Sequence, residues 1–140
     1  MRVFLRGLLA IVLGLVMFFV VVLAGEFLGM SIYGIKVDPN DPHSINDVIK
    51  TIPTRALVAV VLAWACGAFV GGWVAASLAP ARKIAFGLAI GVVGLLITIV
   101  NLVSLPHPVW MWVVGAAELV PAAYLGAWLA PGRQPAPAVA

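Results

Sequence analysis

Four long apolar runs constrain this chain more than any other feature of its sequence. Residues 7–25, 56–79 and 84–105 contain no charged residue, and residues 109–129 contain only Glu118. With 64% hydrophobic and 9% charged residues among 140, the chain has too few polar side chains to cover a soluble domain. About 20 apolar residues in a helix cross the hydrocarbon core of a bilayer. The sequence therefore predicts an all-α integral membrane protein, an antiparallel bundle with spanning helices at about 4–30, 54–79, 84–105 and 109–129.

The first run begins after Arg2 and Arg6 and reaches Gly25 without a charge, which also resembles a secretory signal peptide. It is too long for the apolar core of a signal peptide and has the length of a membrane span. We expect it to be the first helix of a single transmembrane domain over residues 1–131. Residues 132–140, rich in proline and alanine, are expected to form a flexible cytoplasmic tail.

An outer loop at 31–53 is the only substantial polar region. The Asp-Pro-Asn-Asp-Pro stretch at 38–42 is typical of turns. After it, apolar and polar residues alternate with helical spacing, which predicts a short amphipathic helix at about 43–51, on the bundle or in the membrane interface. Its apolar face comprises Ile45, Val48, Ile49 and Ile52.

Small residues recur every fourth position in the second run. Residues four apart share one face of a helix, so these positions form a strip where another backbone can come close. The strip comprises Ala59, Ala63, Gly67, Gly71, Ala75 and Ala79, with a second row at Ala68, Gly72 and Ala76. The third run carries the same pattern at Gly87 and Gly91, and the first at Gly25 and Gly29. We expect Gly67, Gly71, Gly87 and Gly91 to be packing positions.

Basic residues predict the orientation. Five basic residues fall on one side of the predicted spans: Arg2, Arg6, Arg82, Lys83 and Arg133. Three fall on the other side: Lys36, Lys50 and Arg55. Because cytoplasmic loops carry the excess of Lys and Arg, both termini are expected in the cytoplasm.

Glu118 is the sharpest candidate for a functional residue. It lies ten residues beyond Pro108, about 15 Å into the fourth span and near mid-membrane. A carboxyl group there should face the bundle and be either partnered or protonated. Folding back at Pro106-His107-Pro108 makes Thr98 its nearest predicted polar neighbour, with Asn101 one turn further out. Two interpretations stay open, a proton or cation relay and a hydrogen bond that fixes helix packing.

Glu26 and Arg55 are expected at similar depth near the outer ends of the first two helices. An ion pair between them would compensate both buried charges. An outward-facing binding site is the alternative.

No catalytic or cofactor motif occurs in the chain. There is one cysteine, Cys66, and His43 and His107 lie in predicted loops without an acidic neighbour, so we expect no metal site. A nucleophile–base pair and a phosphate-binding loop are also missing from the sequence. The sequence predicts a non-enzymatic protein with no cofactor. The charge of +3 belongs to segment ends and indicates topology, not nucleic-acid binding.

Several motifs together resemble a family of small four-helix proteins of the bacterial inner membrane. They are Glu26-xx-Gly29, the Asp-Pro-rich loop, Pro53-Thr54, Gly71-Gly72-Trp73 and Pro106-His107-Pro108-x-Trp110. The resemblance implies the same topology and location, and it implies nothing about activity. Glu118 departs from the wholly apolar fourth helix that is frequent in that family.

Two functions follow as hypotheses. The first is an accessory or structural subunit that packs against copies of itself or other membrane-protein subunits, because three runs carry small-residue strips and four helices need few such contacts. The second is a small proton- or cation-coupled transporter or channel that uses Glu118 or Glu26. In both, the lipid bilayer is the solvent of the chain.

The predicted topology can be tested by labelling single cysteines from outside intact cells. Asn40→Cys should react with a membrane-impermeant thiol reagent, whereas Arg82→Cys and Ala136→Cys should react only after lysis. The reverse labelling pattern would contradict cytoplasmic termini.

Overall fold

A computed structural model describes residues 1–38, 40, 41 and 44–131. These residues form five helices: α1 (Arg2–Tyr33), α2 (Ser44–Thr51), α3 (Thr54–Leu78), α4 (Lys83–Ser104) and α5 (Val109–Leu129). Within the described ranges there is no strand, and α1, α3, α4 and α5 are long and apolar enough to cross a membrane. The predicted all-α four-helix membrane bundle is confirmed, with each span within about a turn of its prediction.

Two predictions fall on residues that the structure does not describe. They are the tail at 132–140 and His43 at the start of the amphipathic helix. The division into a single domain and a tail stays a prediction.

Helix α3 is the centre of the bundle. It packs against α1, α4 and α5, and α4 packs in turn against α5 and, less extensively, α1. Helices α1 and α5 stay apart, since among the described residues no Cα atom of one lies within 8 Å of a Cα atom of the other. The arrangement places α3 and α4 in the middle and α1 and α5 on the flanks.

The two rows of small residues on α3 serve two different neighbours. The longer row faces α1: a Cβ atom on Gly71 would lie 2.7 Å from the Gly14 carbonyl oxygen. A Cβ atom on Gly67 would lie 2.6 Å from Val22. The shorter row faces α5, where a Cβ atom on Gly72 would lie 2.5 Å from the Ala123 carbonyl oxygen. The absence of side chains at these positions lets three backbones approach closely in lipid.

Helix α4 uses its glycines on two neighbours as well. A Cβ atom on Gly87 would collide with Ala127, and one on Gly91 would lie 2.9 Å from Ala123, so the N-terminal half of α4 packs on α5. Gly94 instead lies against the Phe18 ring of α1. The glycines of α4 therefore meet two different neighbours, α5 through Gly87 and Gly91 and α1 through Gly94.

Short connections fix the helix ends. Lys83 at the start of α4 donates hydrogen bonds to the carbonyl oxygens of Trp128, at 3.1 Å, and Ala130, at 2.6 Å. The last carbonyls of a helix have no partner within it, so a lysine there caps α5. At the other end of the bundle, the apolar face of α2 is turned to the bundle, where Ile45, Val48, Ile49 and Ile52 line a cavity. The Cα atoms of α2 lie more than 8 Å from those of the other helices.

Gly126 offers a test of backbone packing at α3. A Cβ atom there would overlap the Phe69 carbonyl oxygen of α3, whereas one on Gly29 of α1 would meet nothing within 4 Å. We expect Gly126→Ala to lower the free energy of unfolding by about 1–3 kcal/mol. The control Gly29→Ala should be neutral or stabilise by up to about 1 kcal/mol, since alanine favours the helix. Unfolding by SDS in mixed micelles measures both; equal stability of the two variants would contradict the close approach.

Candidate functional site

The structure separates the polar residues that the sequence predicts to share a site. Thr98 and Asn101 of α4 line one cavity together with Glu26 of α1 and Trp64 of α3. Glu118 of α5 lines none of the described cavities with them. The buried Oε1 atom of Glu118 has no hydrogen-bond partner among the described residues, so it forms no bond to Thr98.

Glu26 has a partner that the sequence analysis does not predict. The indole nitrogen of Trp64 donates a hydrogen bond to Glu26 Oε1 at 3.1 Å. The two helices come close here because Gly25 has no side chain and Ala63 has a small one. A Cβ atom on Gly25 would lie 2.5 Å from the Cβ atom of Ala63. This contact sets α1 and α3 in register and brings the two polar side chains to the same level.

The predicted ion pair between Glu26 and Arg55 is not formed among the described residues. The Arg55 guanidinium instead lies over the Tyr33 ring, 5.5 Å from its centroid. Arg55 is in the first turn of α3, nine residues before Trp64, which corresponds to about 13 Å along the helix. At that height Arg55 is exposed and keeps contact with water, so it needs no carboxylate partner.

Asn101 completes the group at the end of the bundle that carries α2 and the α4–α5 turn, hereafter the outer end. It lines cavities on both sides of the Glu26–Trp64 pair. Its Oδ1 atom is buried and accepts no hydrogen bond from the described residues. A buried amide oxygen without a donor costs free energy, so Asn101 is an acceptor available to a ligand or a water molecule.

His107 closes the outer end of this group from the α4–α5 turn. Its ring packs edge-on against Trp64 with a centroid distance of 6.4 Å, and its Nδ1 lies 3.2 Å from the Leu105 carbonyl oxygen. Burial lowers the pKa of His107 from its ordinary value, against smaller opposing effects of the Leu105 carbonyl and the Glu26 charge. The folded protein therefore favours the neutral ring.

Glu118 lies at the edge of the interface between α3 and α5. It lies one turn before Ala122, on the same face of α5. Ala122 lines a shallow apolar groove together with Ala65, Cys66, Phe69, Val70 and Leu125. The buried positions of α5 include Gly115, Leu119 and Ala123, so Glu118 is next to the buried stripe and only half-buried. Its Oε1 atom is buried and has no hydrogen-bond partner in the described part of the chain.

The other predictions concern packing and metals. Gly67 and Gly71 lie against α1, and Gly87 and Gly91 against α5. No three His, Cys, Asp or Glu side chains of the described residues are placed to hold a metal ion together.

Trp64 is the residue that the sequence analysis misses. Its position in the sequence indicates a polar contact, because a tryptophan ten residues inside a predicted span needs an acceptor for its N–H group. Glu26 is the one acidic residue of the first span. Matching the two requires the register of α1 on α3, which depends on packing and not on depth alone.

Comparison with protein-family models, with curated proteins and with solved structures finds no match to this chain.

The pKa of His107 predicts the pH dependence of stability. Because the folded-state pKa is lowered, the stabilisation from the neutral ring is complete above 6.5 and is lost as the pH falls through the folded-state value. We expect the melting temperature to fall between pH 7.5 and 5.5, and to fall less in His107→Asn, which cannot titrate. Thermal unfolding in detergent at several pH values measures this. Parallel curves for the two proteins would exclude His107 as the source.

Proposed function

We propose that this multi-pass membrane protein is a structural subunit that associates with a second copy of itself through the face formed by α3 and α5. We further propose that it resides in a bacterial inner membrane with both termini in the cytoplasm, as the basic residues and the family resemblance suggest. The observation that carries the proposal is the unpartnered Glu118 carboxyl group.

A half-buried carboxyl group in a membrane span is unfavourable without a partner. Ionisable residues within spans almost always face a protein interior and pair with another polar group. Within the described residues, no hydrogen bond satisfies the buried oxygen of Glu118. A partner supplied by another chain removes this cost.

A second copy is the simplest source of that partner. Around a two-fold axis along the membrane normal, each interface residue lies at the same depth as its own copy. Glu118 would then face the Glu118 of the second chain. A protonated carboxyl group has one donor and spare acceptor capacity, so two of them can hydrogen-bond reciprocally.

The surface next to Glu118 suits helix packing. The groove lined by Ala65, Cys66 and Ala122 has no polar lining and is bordered by the larger side chains of Phe69 and Leu125. Small residues between larger ones let a helix approach closely in lipid, where van der Waals packing drives association. The groove lies beside Glu118, so close packing and a central hydrogen bond would act on one interface.

The small-residue strips do not support contacts with other chains. The sequence has more of them than a four-helix bundle needs, and for that reason they favoured such contacts. Instead, the strips on α3 and α4 are covered within the chain, and of the first strip only Gly29 is left open. The proposed interface therefore depends on Glu118 and on the groove beside it.

A proton relay through Glu118 has less support. A relay needs a chain of polar groups, and Thr98 and Asn101 line a cavity with Glu26, away from Glu118. The environment of Glu26 is a separate question, since it lies at the outer end of the bundle.

Substitutions at Glu118 test the proposed interface. Glu118→Leu keeps the volume approximately and removes the hydrogen bond, so we expect dimerisation to weaken by about 1–2 kcal/mol, on the order of tenfold. Glu118→Gln has both a donor and an acceptor and should remain a dimer. Single-molecule photobleaching in lipid bilayers over a range of protein densities measures the equilibrium.

The fold of each variant is its internal control. Neither substitution removes a hydrogen bond to the described residues of the chain, so both should unfold at the wild-type SDS fraction. A wild-type protein that stays monomeric at all densities, or a Glu118→Leu variant that dimerises as tightly as wild type, would contradict the proposal.

A further inference from the structure

The outer end of the bundle encloses a cavity of about 130 Å³ beneath α2. Apolar side chains of α1, α2 and α3 form most of its wall, among them Met30, Val48 and Leu57. Three polar side chains interrupt it: Glu26, Asn101 and His107. An apolar cavity with a few convergent polar groups is the usual form of a small-molecule site.

The polar groups present hydrogen-bond acceptors. Glu26 accepts one bond from Trp64 at 3.1 Å, and a carboxylate can accept several more. Asn101 contributes a buried Oδ1 that has no donor in the described structure. The Trp64 N–H group is already used by Glu26. A complementary ligand therefore presents N–H donors to these two side chains.

The Glu26 carboxylate has no cation beside it in the described structure. Arg55 is engaged with the Tyr33 ring, and Lys50 lies 3.7 Å from Asp47 on the exposed side of α2. The remaining titratable group at the cavity is His107, and burial lowers its pKa, so the folded protein favours the neutral ring. A half-buried carboxylate without a counter-ion favours a positively charged ligand.

A second cavity, of about 150 Å³, lies on the other side of the same three residues. Glu26, Trp64 and Asn101 line both cavities. The second is bounded by Phe19, Leu23 and Ile97, whose side chains are exposed on the surface that faces lipid. The acceptors thus lie between a chamber under α2 and a cleft that opens between α1 and α4 toward the bilayer.

We propose that this outer-end site binds an organic ammonium ion with an apolar chain, its N–H groups on Glu26 and Asn101 and its chain in the adjoining apolar cavity. This class of ligand satisfies both acceptors, compensates the carboxylate and fills the apolar lining. The proposal is independent of self-association, because Glu118 and the α3–α5 groove contribute nothing to the site.

The test compares three ligands with the same chain and different head groups. Hexylammonium, hexanol and hexanoate are titrated by calorimetry into the full-length protein in phosphatidylcholine nanodiscs, with empty nanodiscs as the blank. We expect saturable binding of hexylammonium, at least about tenfold tighter than that of hexanol, since hydrogen bonds to a charged group are the stronger ones. Hexanoate should not bind.

Two variants locate the binding. Glu26→Gln retains an oxygen to accept the Trp64 bond and should fold, but it should weaken hexylammonium binding by at least about tenfold without affecting hexanol. Asp47→Asn removes the same charge from the exposed side of α2, outside the cavity, and should bind like wild type. Asn101→Ala should also weaken hexylammonium binding. Equal affinities for hexylammonium and hexanol, or equal losses in Glu26→Gln and Asp47→Asn, would overturn the proposal.

Nanodiscs that contain phosphatidylethanolamine distinguish the source of the ammonium group. If the natural ligand is an amine-bearing lipid, this lipid should compete and lower the apparent affinity for hexylammonium in wild type. If it is a free amine, the affinity should be the same in both lipids.

Discussion

The backbones of α1 and α5 come directly against two neighbouring sides of α3, and only glycine and alanine at the contacts allow it. In lipid, apolar side chains gain little by leaving the acyl chains, so stability depends on close packing between helices. Adjacent residues Gly71 and Gly72 illustrate the arrangement, since one lies against Gly14 of α1 and the other against Ala123 of α5. These contacts set the register of α1 and α5 on α3.

That register decides which polar groups are satisfied within the chain. The contact between Gly25 and Ala63 places Glu26 beside Trp64, which donates to it. The packing of α5 on α3 leaves Glu118 at the edge of the interface, with a buried oxygen and no partner in the described chain. The two intramembrane glutamates therefore differ: Glu26 lines cavities at the outer end of the bundle, and Glu118 lies beside the α3–α5 groove.

Much of the fold could be predicted from the sequence because a bilayer narrows the choices. Uncharged runs define the spans, and the spacing of Ile45, Val48 and Ile49 defines α2. The polar pairings could not be predicted in the same way. Counting residues from the helix ends places Glu26 near the depth of Arg55, and Glu118 near that of Thr98. Contacts depend also on the rotation and the register of each helix. Those are set by interlocking side chains on different helices, which one sequence does not specify.

Disulfide formation at the natural Cys66 tests the assignment of the α3–α5 face most directly. Cys66 is exposed and lines the groove beside Glu118. Copper–phenanthroline oxidation in bilayers should give a reducible dimer in wild type. A Cys66→Ser protein with Val12→Cys, on the exposed face of α1, should give no disulfide-linked dimer. Cross-linking through position 12 and not through Cys66 would contradict the account, because the second copy would then contact α1 and leave Glu118 without a partner.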